Sequence, residues 1–123
     1  MIFEIVATCI FAPIFEEIMF RFGLYKKLSK KLNVLISIIL TSMFFALVHF
    51  YNIDGFIILF GISLIWNYSF YKTNNLIYPI LIHLTHNIYA LSGIFLNYSN
   101  CWYILLTISI VGYILTITKK QKK

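Results

Sequence analysis

The sequence predicts an all-α fold: a polytopic transmembrane helical bundle of about five helices, with an amphipathic extension after the first. Three observations carry that reading. Hydrophobic residues make up 61% of the chain and charged residues 11%, whereas soluble domains average roughly 25% charged, so a water-facing surface cannot be assembled from this inventory. The apolar runs approach the length of membrane helices, which need about 20 residues, and they are too long and too continuous for barrel strands. Lysine and arginine also alternate between successive connections, as membrane crossings require.

The spans follow in order. The first runs from Ile2 to about Phe20, the second from Val34 to Tyr51, the third from Phe56 to Tyr71, the fourth from Leu76 to Leu96 and the fifth from Trp102 to Thr118. Basic residues occur in the connections 21–33 and 72–75 and in the tail 119–123, and are absent from 52–55 and 97–101. Under the positive-inside rule the N-terminus is outside and the C-terminus, with its basic tail, is cytoplasmic in a multi-pass cell-membrane protein. Tyr51, Tyr71, Tyr98, Trp102 and Tyr103 fall near span ends, where interfacial aromatics belong. Between Arg21 and Lys31, Phe22, Leu24, Tyr25 and Leu28 interleave with the basic residues, so this stretch reads as an amphipathic continuation of the first helix.

No polar linker or internal repeat divides the chain, and a single integral-membrane domain over residues 1–123 is expected. Met1 stands almost inside the first span, which fits either a minimal form or one lacking upstream helices. The N-terminus has no basic n-region and no small-residue cleavage site, so it reads as a span and not as a signal peptide. The net charge is +6, but the basic residues sit in separated groups with no stripe to track phosphates, and no nucleic-acid partner is expected. Cys9 and Cys101 lack metal-ligand spacing and read as buried free thiols.

Polar groups inside spans are costly and usually placed for a reason. Glu16 and Glu17 are adjacent carboxylates in an apolar helix, pointing about 100° apart. Glu17 and Arg21 are four residues apart and can pair on one face, which leaves Glu16 to face elsewhere as a general base. The alternative is three solvated charges at the cytoplasmic interface. Phe45 and His49 share a face at the end of the second span. On its own, that histidine fits a hydrogen-bonded interface residue as well as a site residue. His83 and Asn87, also four apart, follow Pro79, which starts or kinks their helix. They can supply donors to an oxyanion, and they equally fit interhelical hydrogen bonding. His86, turned about 60° from His83, is a candidate neighbour to the site.

The motifs Glu16-Glu17…Arg21, Phe45…His49 and His83…Asn87, in that order on successive membrane helices, resemble the CAAX-protease and bacteriocin-processing family of intramembrane proteases. The stretch from Phe60-Gly61 to Tyr71 and Ile77-Tyr78-Pro79 share the resemblance, which covers roughly residues 8 to 96. It implies a hydrolase that cuts a peptide or membrane-protein substrate within the bilayer. Glu16 would activate water with help from His49, His83 and Asn87 would stabilise the oxyanion, and Glu17 and Arg21 would support the first helix. It also implies no obligatory cofactor, and a bacterial role in leader-peptide or bacteriocin processing or in self-immunity. The alternatives are a non-catalytic membrane immunity or scaffold protein of the same fold, a zinc site at Glu16, His49 and His83, and a proton-coupled transporter.

Simple spans leave Glu16 and His49 at opposite depths. A first helix continuing to about Lys31, hinged at residues 32 and 33, places each about 24 Å from the hinge and lets them face each other. The chemistry then needs a hydrated cavity. Phe15, Phe20, Phe44 and Phe45 are candidates to wall it or to face lipid.

Overall fold

The computed structural model describes residues 2–96 and 101–120, with side chains at 2–91 and 108–117. Five helices account for the described residues, with no strand among them. Helix α1 is one continuous rod over residues 2–28. Its turns are α-helical at Ile2–Val6, Ala12–Glu17 and Lys26–Leu28, and π-helical at Ala7–Phe11 and Ile18–Tyr25. The first helix does continue past Phe20 as expected, and it stops at Leu28, a turn short of Lys31. There the Ser29 hydroxyl donates to the Lys26 carbonyl at 3.2 Å, and the Lys31 and Leu32 amides close onto the Leu28 carbonyl at 2.9 and 2.8 Å. The chain reverses over residues 29–33, where the hinge was expected.

Asparagines set the ends of the next three helices. Asn33 caps α2 (Val34–Val48) by accepting from the Ile36 amide at 2.9 Å. Asn52 caps α3 (Ile53–Thr73) by accepting from the Gly55 amide at 2.7 Å, a standard way to satisfy orphaned N-terminal donors. Asn74 closes α3 in the left-handed conformation, at φ 49° and ψ 31°. Its amide donates to the Phe70 carbonyl at 2.7 Å. Helix α4 (Ile77–Leu96) opens with the Asn75 side chain accepting from the Ile77 amide at 2.9 Å. Pro79 lies in its first turn, so it starts this helix and does not kink it. Helix α5 (Cys101–Lys120) packs on α3 and α4. It takes Lys119 and Lys120 out of the expected tail, and residues 121–123 lie outside the described chain. At Gly112 a side chain would begin 2.8 Å from Ile82 of α4, so the missing Cβ permits that close approach.

The interior mixes polar groups with apolar clusters, and the exterior is apolar. Glu17, Arg21, Ser37, Thr41, Ser42, Ser63, Asn67 and Ser69 are all fully buried. Large apolar side chains on α1 to α4, among them Phe3, Met19, Leu35, Val48, Ile57 and Leu81, face outward. That arrangement suits a lipid solvent. Between the buried polar groups sit two apolar clusters. One joins Phe20, Phe45, Ile62, Trp66 and Ile82. The other joins Tyr25, Ile38 and Phe70. Phe20 and Phe45 thus wall the interior, while Phe15 and Phe44 are 65% and 47% exposed and face out. Tyr51 and Tyr71 are exposed. Tyr98 and the side chains of Trp102 and Tyr103 fall outside the described residues, as does the side chain of Cys101, whereas Cys9 is a buried free thiol. Among the described residues, Ile53–Thr73 is the helix long and apolar enough to cross a membrane by itself. Val34–Val48 is apolar but shorter.

The left-handed cap gives a direct check. Asn74→Gly should leave stability unchanged or slightly raised, and Asn74→Val should cost about 1–2 kcal/mol, read from thermal unfolding in detergent.

Candidate active site

Three helices bring the polar motifs together. Glu17 and Arg21 of α1 are both fully buried, with Arg21 Nε 3.0 Å from Glu17 Oε2. Arg21 Nη2 also donates to Ser63 Oγ of α3 at 2.9 Å. Its guanidinium lies 4.9 Å from the Phe45 ring centroid and 5.4 Å from that of Trp66. Two aromatic faces and a hydroxyl thus replace part of the hydration that the cation loses.

The second Glu17 oxygen, Oε1, takes a 2.8 Å hydrogen bond from His83 Nδ1 of α4. A carboxylate paired with arginine can only accept, so Nδ1 carries a proton and Nε2 is left to face the site. Trp66 stacks on this imidazole at 4.1 Å between centroids, and Phe45 meets it edge-on at 5.8 Å. His83 is buried and fixed on three sides.

Glu16 is the exposed counterpart, its side chain 24% accessible. Its Oε2 lies 3.5 Å from His49 Nε2 and 3.6 Å from His83 Nε2. His49, which ends α2, holds its other nitrogen, Nδ1, 2.8 Å from the Phe45 carbonyl. A carbonyl only accepts, so Nδ1 donates there and Nε2 can accept a proton. The spacings around Oε2 are longer than direct hydrogen bonds and suit a water shared between carboxylate and imidazole.

The long first helix therefore does bring Glu16 to His49. Glu16 and Glu17 diverge as expected, yet both reach His83, one to each ring nitrogen. Asn87 stands apart from this group: its Nδ2 donates to the Thr8 carbonyl of α1 at 3.0 Å. His86 is buried edge-on to Trp66 at 5.6 Å, with no hydrogen-bond partner for Nδ1. Among the described residues, no group of three His, Cys, Asp or Glu side chains is placed to hold a metal ion.

Sequence reasoning missed Ser63 and Trp66, and understated Glu17, which orients His83 as well as pairing Arg21. A signal existed for Ser63. Ser63 and Asn67 stand four apart on one face of a largely apolar α3, and both are fully buried. Asn67 Nδ2 donates from that face to Ser42 Oγ at 2.8 Å.

The unequal burial of the two glutamates predicts unequal costs. Glu17→Ala leaves Arg21 buried without its counter-charge and should lose about 3–5 kcal/mol. Glu16→Gln should stay within about 1 kcal/mol of wild type. Paired thermal-unfolding curves in detergent check this.

Among known families, residues 1–89 match the type II CAAX prenyl endopeptidase Rce1-like family. No curated protein and no solved structure matches the chain. The matched segment contains all three motifs.

Proposed function

The chain belongs to the type II CAAX prenyl endopeptidase Rce1-like family, a family of membrane-embedded proteases, and on that premise we propose that Glu16 is the base of a water-activating intramembrane endopeptidase. The observation that carries the reading is the single carboxylate oxygen of Glu16 set between two imidazole nitrogens, at 3.5 and 3.6 Å. A water at this oxygen can give a proton to Glu16 and a second hydrogen bond to His49 Nε2. Its oxygen then attacks the peptide carbonyl carbon. The developing oxyanion takes a hydrogen bond from Nε2–H of doubly protonated His83, and Asn87 adds its second amide proton. The proton held by Glu16 passes to the leaving nitrogen as the C–N bond breaks, which leaves a carboxylic acid and an amine; the acid's remaining proton then moves to the amine, so the products are a carboxylate and an ammonium and the base is regenerated.

Glu17 and Arg21 complete the site from behind. Glu17 holds the Nδ1–H of His83 and so aims Nε2 at the site, and Arg21 keeps Glu17 an acceptor. The substrate is a peptide segment entering from the membrane, either a lipid-modified C-terminus or a leader peptide whose removal matures a bacteriocin or supports self-immunity. Five crossings, with the N-terminus outside and the C-terminus cytoplasmic, are supported by the alternation of lysine between connections and by the apolar exterior.

The test is cleavage of prenylated C-terminal peptides and of leader peptides by protein in liposomes, with and without a chelator. Wild type should cleave in both conditions. Glu16→Gln should fall at least about 100-fold in kcat, and His83→Ala by about 100- to 1,000-fold. Loss of wild-type cleavage on chelation, restored by zinc, would favour a metal held by Glu16, His49 and His83. A cellular immunity phenotype that survives Glu16→Gln, with no cleavage by wild type, would favour a non-catalytic scaffold.

A further inference from the structure

Asn87 has an unusual partner, a main-chain carbonyl in the middle of another helix. The reason lies five residues further along α1. In the π-helical stretch Ala7–Phe11 the Ala12 amide reaches back five residues to the Ala7 carbonyl. The next rung of that ladder would run from residue 13 to the Thr8 carbonyl. Residue 13 is proline and has no N–H. The ladder resumes beyond it, the Ile18 amide reaching the Ile14 and Phe15 carbonyls. The Thr8 carbonyl is thus denied its intrahelical donor in an apolar stretch where lipid offers none, a position that is costly to leave bare. Asn87 Nδ2 fills it at 3.0 Å.

We propose that Pro13 and Thr8 form a backbone socket that positions Asn87. The socket does two things. A carbonyl accepts only from the nitrogen end of a carboxamide, so it selects which end of Asn87 lies toward α1 and keeps the second N–H there too. It also ties α4 to α1 one turn from His83, on the same face, and so holds the imidazole in register with Glu16 and Glu17. Pro13 and Thr8 are positioning residues, acting through Asn87. The consequence for catalysis rests on the proposed function; the socket itself does not.

A double-mutant cycle tests it in thermal unfolding of the full chain in detergent. Asn87→Ala should lower Tm by about 5 °C. In a Pro13→Ala background, where a new N–H serves the Thr8 carbonyl, the same change should cost less than about half as much. Equal losses in both backgrounds overturn the socket. Asn87→Asp keeps the shape but donates only when protonated, so its Tm deficit should widen between about pH 4 and about pH 8. A deficit independent of pH overturns donation to Thr8. In cleavage assays Pro13→Ala should lower kcat about 10-fold with KM within about twofold, and unchanged kcat overturns the positioning role. Coupled stabilities in a protein whose wild type cleaves nothing would uphold the socket and remove the protease reading instead.

Discussion

The buried Arg21–Glu17 pair is the constraint around which the site is arranged. Removing a guanidinium and a carboxylate from water costs several kcal/mol per ion, and their mutual attraction offsets this only if the remaining polar atoms are served. Ser63, Phe45 and Trp66 serve Arg21 from two other helices. His83 serves Glu17 from a third. Satisfying one ion pair therefore draws α1 to α4 together and fixes the imidazole that faces Glu16. The structural role and the proposed catalytic one thus fall to adjacent residues, one fully buried and one partly open.

That division explains why two consecutive glutamates differ in role. Glu17 spends both oxygens on protein partners, Oε2 on Arg21 and Oε1 on His83. Glu16 faces two imidazole nitrogens at distances too long for direct bonds, and it keeps contact with solvent. A group held close without being fully bonded can take up a proton during a reaction. The aromatic wall of Phe45 and Trp66 adds rigidity around that group, since Phe45 touches Phe20, Trp66, His49 and His83 at once.

Much of this was legible in the sequence. Apolar run lengths located the later four helices to within a few residues, while the first outran its apolar stretch by the residues up to Leu28 that the basic, interleaved continuation supplied. Spacing of four paired Glu17 with Arg21, and counting residues from the reversal at 29–33 brought Glu16 to His49. The π-helical turns of α1 were not legible. They depend on where Pro13 removes a donor and on what neighbouring helices supply, and no local pattern reports either. Trp66 looked like one more apolar residue of α3, and its stacking on His83 exists only once α3 and α4 are packed. Asn87 was expected beside His83 by helical spacing, but the carbonyl it bonds became available through a proline on another helix.

The central claim is that Glu16 activates water directly. Single-turnover cleavage in ¹⁸O-labelled water, with enzyme in excess and mass spectrometry of both partners, tests it. Direct attack by water predicts one ¹⁸O in the new carboxylate of the product and none in the Glu16 side chain. Label appearing in Glu16 would mean that its oxygen had attacked the substrate and formed an acyl intermediate, and would contradict its role as a base.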